Sequence, residues 1–188
     1  SSLDDKVIWV GTDDGNVQLT SDGGKTWTNT TPNIKNLPLN TWCYHIEAST
    51  HDKKTAYAVF DGHTSGDMKA YVYKTTDLGQ TWKSIVSDDI EIFARNIQED
   101  YENPDLLFLG TEFGLYITIN GGKNWSKFSN NMPSAAIHFI ALQKKTNDLV
   151  MGTHGRGVII IDDISPLRKI NKKMLSKKLH FFDSDTSY

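Results

Sequence analysis

The sequence predicts an all-β fold: a β-propeller segment of about four blades, each of four antiparallel strands, followed by a short C-terminal helical tail. Two repeats carry that prediction. The first is a tight turn, "TSDGGKTW" at residues 20–27, which returns as "TTDLGQTW" at 75–82 and in altered form as "TINGGKNW" at 118–125. The second runs in step with it: "VIWVGTDDGN" (7–16), "AYAVFDGHTS" (56–65), "LLFLGTEFGL" (106–115) and "LVMGTHGRGV" (149–158). Each of these is a short apolar run ending in a polar, glycine-containing turn, the mark of a strand entering a hairpin. Four short strands recurring every roughly 40 to 55 residues cannot bury their faces singly and must stack on neighbouring units, as propeller blades do.

With the strands of a unit labelled A to D, the second repeat supplies strand B. "NVQLTS", "AYVYKTT", "LYITI" and "GVIIID" supply C, and "CYHIEAS", "ARNIQED" and "IHFIALQ" supply A. "TWTNT", "TWKSIV" and "NWSKFS" supply D. Blade one is expected over 6–31 without a strand A, blade two over 41–88, blade three over 92–130 and blade four over 136–163 without a strand D. Residues 164–188 break the pattern: Pro166 opens a helical turn with Leu167, Ile170 and Met174 near one face and a solvated set of Lys and Arg on the other. "KLHFFDSD" is a candidate closing strand for blade four.

The repeated turn is expected to be structural. Asp22 is placed to accept N–H groups of its own turn, Gly23 and Gly24 permit positive φ, and Trp27 is expected to fold its ring under the loop into the gap between blades. The same roles fall to Thr20, Thr26, Thr75, Asp77, Gly79, Thr81, Trp82, Thr118, Asn120, Gly122 and Trp125. Because these are C–D turns, the B–C turns and D–A loops gather on the opposite face. That face holds Asp13, Asp14, Asp61, His63, Asp67, Glu112, His154 and Arg156. His63, Glu112, His154 and Arg156 are the candidate ligand-binding residues; Asp61 and Glu112 are the catalytic candidates. Arg156, between two glycines, either meets a ligand carboxylate or pairs with an acidic turn of a neighbouring blade such as Glu112.

Composition narrows the function. The chain has 188 residues, 38% hydrophobic and 23% charged, with a formal net charge of -3, which supplies no field to gather nucleic acid. No apolar run approaches the roughly 18 residues of a membrane span, and the opening "SSLDDKVIWV" lacks the build of a signal peptide. Cys43 is the only cysteine, expected as a buried strand thiol. No metal-ligand spacing such as HExxH occurs, and no cofactor is expected. Glycosidase chemistry would need two carboxyl groups across a cleft, and Glu47, Asp61, Glu99, Asp100 and Glu112 are available for it.

The turn pattern Ser/Thr-x-Asp-x-Gly-x-Thr/Ser-Trp resembles the Asp box, or BNR repeat. Together with "LFLGTEFGLY" and "GTHGRG…IDDISPL" it makes the chain similar to the C-terminal part of bacterial BNR-repeat, glycosyl-hydrolase-like or sortilin-like propellers. The resemblance implies a secreted or periplasmic protein that binds glycan or a protein or peptide ligand, or else a fragment of a glycoside hydrolase. Further blades or a second copy would meet its open blade edges. A sialidase would present three carboxylate-binding arginines; this chain has only Arg95, Arg156 and Arg168, the last in the tail, and no "FRIP"-like segment, which argues against that activity.

Overall fold

A computed structural model describes residues 1–179, 181 and 182. Within them the repeats form four antiparallel sheets in chain order. The first holds β1 (Ile8–Gly11), β2 (Val17–Thr20) and β3 (Thr28–Asn29); the second holds β4 (Trp42–Ala48), β5 (Ala56–Asp61), β6 (Tyr71–Thr75) and β7 (Lys83–Ser84). The third holds β8 (Ala94–Glu99), β9 (Leu107–Thr111), β10 (Gly114–Thr118) and β11 (Ser126–Phe128); the fourth holds β12 (Ala136–Gln143), β13 (Asp148–His154) and β14 (Val158–Ile161). Each sheet is a meander, and the whole is a partial β-propeller whose first sheet has no strand A and whose last has no strand D.

The apolar runs explain which sheets lie inside the stack. Every residue of β5 and β9 is buried, because a middle sheet is covered on both faces and its strands read as continuous apolar runs. The end strands β1 and β14 alternate instead, with Ile8, Val10, Val158 and Ile160 exposed. Three apolar layers fill the gaps between sheets. Trp9, Val17 and Leu19 meet Cys43, Phe60, Tyr73 and Trp82; Tyr57, Val59 and Val72 meet Ile97, Leu109 and Trp125; Phe108 and Leu115 meet Ile137, Ile140 and Met151. Cys43 is buried as expected, and burial pushes its thiol up to about 12.

The repeated turns have one geometry. Asp22 accepts the backbone N–H of Lys25 at 2.9 Å and of Thr26 at 3.0 Å, and the hydroxyls of Thr20 and Thr26 at 2.7 Å each. The Thr26 hydroxyl, then the Thr26 N–H, then the Thr20 hydroxyl hold its carboxyl down at about 2. Asp77 repeats the set with Thr75 and Thr81, and Asn120 keeps it with Thr118 and the Asn124 N–H. A side-chain carbonyl oxygen therefore suffices at this position.

The turns also join sheets. Gly79 and Gly122 have φ of +73° and +90°, and a Cβ there would stand 2.6 Å from Thr30 and 2.8 Å from Ile85, each just past strand D of the preceding sheet. Trp82 packs edge-on against Trp9 at 5.7 Å, and the Trp125 Nε1–H donates to the Ile85 carbonyl at 2.7 Å. Trp27 departs from its expected place. Its ring tucks under its own loop, donating to the Gly24 carbonyl at 3.2 Å, yet stays 46% exposed, whereas Trp82 is 6% and Trp125 3% exposed. The cause is the neighbour: among the described residues no sheet lies against that side of β3.

The tail also differs from a single solvated helix. It is two short helices, α1 (Ser165–Lys169) and α2 (Lys172–Leu175), with Ile170 and Asn171 between them. Leu167 packs on the third apolar layer, but Arg168 turns inward. It donates to both oxygens of the buried Asp100 at 2.8 and 2.9 Å, to Glu102 at 2.8 Å and to Asn147 at 2.7 Å, while stacking 4.6 Å from the Tyr101 ring centre. Of the expected closing strand, residues 178–185, positions 180 and 183–185 lie outside the described residues; Lys178, Leu179, Phe181 and Phe182 lie in no strand.

Gly79→Ala and Gly24→Ala separate the two roles of the glycine. Both force a left-handed alanine, worth about 1 kcal/mol, but only Gly79→Ala also collides with a neighbouring sheet, for a further ~1–3 kcal/mol. Urea denaturation should find Gly79→Ala clearly the more destabilised, and equal losses would contradict the interblade role.

Candidate functional site

Strand A of the second, third and fourth sheets carries one irregularity each. Strand pairing shifts between Cys43 and His45, between Ala94 and Asn96, and between Ile137 and Phe139. The extra residues are Tyr44, Arg95 and His138, each two positions before an apolar Ile46, Ile97 or Ile140. A bulge bends the strand and re-aims one side chain, and bulges concentrate beside functional sites. Here three successive blades each re-aim a chemistry-bearing side chain into one cluster.

Arg95 is its centre. Its Nη1 donates to Asp61 at 3.2 Å, and its Nε and Nη2 donate to one oxygen of Glu112 at 3.2 and 3.1 Å. Its guanidinium lies 4.9 Å from the Phe93 ring centre and 5.3 Å from that of Tyr44, within cation–π range. Asp61 further accepts the backbone N–H of His63 at 2.9 Å and the His63 Nδ1–H at 2.7 Å. Because a carboxylate can only accept, Nδ1 carries the proton and Nε2 of a neutral ring is left as an acceptor. The His63 ring is fixed by stacking on Phe93 at 4.9 Å. On the other side Tyr44 meets His138 edge-on at 6.5 Å, and His138 stacks on His154 at 5.5 Å. Burial first, then the charge of Arg95 and the His154 ring, lowers the His138 pKa from its ordinary value, so this imidazole is neutral at pH 7. Trp42, 38% exposed, packs against Tyr44 at 4.8 Å and gives the cluster an aromatic outer surface.

The predicted face thus gathers Asp61, His63, Glu112 and His154 around Arg95. Arg156 stays out: it is exposed, and Glu112 pairs with Arg95 of its own blade, so of the two alternatives for Arg156 the pair with Glu112 does not form. Asp14 is capped by Thr12, Asp67 accepts the Tyr71 hydroxyl at 2.6 Å, and Asp13 is exposed in its turn. The Asp61 side chain has no exposure and both its oxygens are engaged, which removes it as a reachable acid or base. Glu112 keeps one oxygen with no hydrogen bond among the described residues and is one-third exposed. Glu99 and Asp100 lie away from the cluster at an A–B turn. Glu99 accepts the Tyr57 hydroxyl at 2.8 Å, the Ser49 hydroxyl and the Thr50 N–H, and Asp100 holds Arg168. Among the described residues no group of His, Cys, Asp and Glu has metal-holding geometry.

Tyr44, Arg95, His138, Phe93 and Trp42 were not singled out by the sequence. The signal for the first three was present as a repeat column two residues before the strand-A isoleucines.

No family model and no curated protein matches this chain. Solved structures do. YCF48 bound to a D1 peptide superposes with a TM-score of 0.61 at 18% identity, over 85% of this chain and 47% of that one. The GH74 enzyme of Niastella koreensis gives 0.65 at 16%, over 84% and 27%. PorZ, a surface component of the type-IX secretion system of Porphyromonas gingivalis, gives 0.51 at 18%, over 80% and 23%. The chain therefore spans about half or less of these proteins. Likeness at such identities establishes the β-propeller fold.

Arg95→Ala would strand the buried Asp61 carboxylate without its counter-ion, an expected loss of ~3–5 kcal/mol by urea denaturation. Wild-type stability should fall as pH drops below ~6.5, because an unfolded histidine takes its proton before His138 does in the fold. His138→Gln should flatten the urea midpoint between pH 7 and 5, and an unchanged slope would contradict the assignment.

Proposed function

We propose that this chain is a non-catalytic propeller module of the Asp-box (BNR-repeat) kind, whose B–C turn face binds a neutral glycan, within a larger secreted bacterial protein. The observation that carries the reading is the cluster built by three bulged strands. Its one cation, Arg95, is taken up by two carboxylates, Asp61 and Glu112, so it offers no free positive charge to an anionic ligand. What it offers is the Trp42–Tyr44 surface, the Glu112 oxygen, the His63 Nε2 and the His154 ring: an aromatic platform edged by hydrogen-bonding groups, the combination that suits a sugar ring and its hydroxyls. The propeller likeness to a GH74 enzyme and to a bacterial surface component is compatible with this role and location.

Binding is preferred to hydrolysis because two reachable carboxyl groups are needed to cleave a glycosidic bond, and this cluster presents Glu112 alone. A glycoside-hydrolase fragment would need a second acid from outside this cluster. The exposed Arg156 favours a second reading, a peptide ligand held by its carboxylate.

An array of neutral oligosaccharides is the direct test. Binding should be weakened roughly 2- to 12-fold by Trp42→Ala, the worth of one aromatic contact. Turnover of aryl glycosides that disappears in Glu112→Gln would contradict the non-catalytic reading.

A further inference from the structure

Among the described residues the fourth sheet stops one strand short, and the place of that strand is still formed. In register with Asp22, Asp77 and Asn120 the fourth repeat has Asp163, but no glycine turn or tryptophan follows it. Its carboxylate accepts the Ser165 N–H at 3.1 Å and the chain enters α1 instead. β14 is consequently an edge strand among the described residues, with Val158 and Ile160 exposed.

The receiving side is equally recognisable. Thr30, Ile85 and Phe128 each stand three residues after the turn tryptophan of their own blade. Thr30 receives Gly79 of the next blade, and Ile85 receives Gly122 and Trp125. Among the described residues Phe128 receives no such turn. It lines a groove of about 610 Å³ with Ile117 and Ile119 of the third blade and Leu167, Ile170 and Leu175 of the tail. An open strand edge and an apolar groove thus stand where the two preceding blades keep strand D and its indole.

We infer that this groove and the β14 edge form a second binding site, for an extended segment of a separate polypeptide that adds a fourth antiparallel strand and seats a tryptophan against Phe128. Main-chain hydrogen bonds to β14 supply affinity, and the indole supplies selection, as in other strand-addition sites. The site lies at the C–D turns, on the opposite face from the Arg95 cluster, and is independent of glycan binding.

The probe is a fluorescently labelled synthetic peptide of residues 78–86, LGQTWKSIV, the molecule's own strand D of blade two, titrated into the intact chain by polarisation. Saturable binding is expected, at least tenfold weaker for the same peptide with alanine in place of its tryptophan. Leu175→Asp should weaken it similarly; this residue is 66% exposed, so its substitution leaves the fold intact. Absence of saturable binding, or binding indifferent to both changes, would overturn the inference. So would self-association of the chain that Leu175→Asp abolishes, since the groove would then be filled by a second copy.

Discussion

The structure depends on one contact made twice: a glycine turn on one blade pressed against the end of strand D of the blade before, with the turn's tryptophan packed on that same blade. Sheets of three or four short strands bury little by themselves, so each must find cover from its neighbours. The turn gives that cover a fixed position. Gly79 and Gly122 are placed where a methyl group would strike Thr30 and Ile85, and Trp82 and Trp125 close the outer gap. Where the contact is made, β5 and β9 are buried throughout; where it is not, Trp27 lies exposed and β1 shows alternate residues to solvent. The acceptor groups of Asp22, Asp77 and Asn120 shape the turn, but the join comes from what the turn touches.

Fixing the outer edges leaves the inner strands free to vary. β4, β8 and β12 each tolerate an extra residue in the same place, and the three bulged side chains meet across blades: Arg95 against Tyr44, Tyr44 against His138. Tyr44 and His138 belong to blades that are not neighbours, so this contact spans the inner side of the arc. The cluster is locked by charge as much as by packing, with Arg95 bridging two carboxylates and His63 held by a third hydrogen-bonded contact to Asp61. Such a locked set can recognise a ligand without reorganising.

The fold was legible because its signals are local. Apolar runs ending in glycine turns mark strands B, the repeated tryptophan marks strand D, and strand order alone assigns His63, Glu112 and His154 to one face. Less of the site was legible. A bulge shifts the two-residue phase of a strand, so nothing in a regular alternation points Arg95 toward Asp61. Once Arg95 is there, Glu112 is satisfied within its own blade and Arg156 has no acidic partner to claim. The exposure of Trp27 and the inward turn of Arg168 fail to show in sequence for the same reason, since each is decided by a neighbour many residues away.

The central claim is that the bulged face, and not the repeated turns, meets the glycan. Hydrogen–deuterium exchange with the tightest-binding oligosaccharide of the array locates that contact directly. Protection is predicted at 42–45, 61–65, 93–96, 111–114 and 137–139, with the segments 20–27, 75–82 and 118–125 unchanged. Protection confined to those three turns would contradict the account.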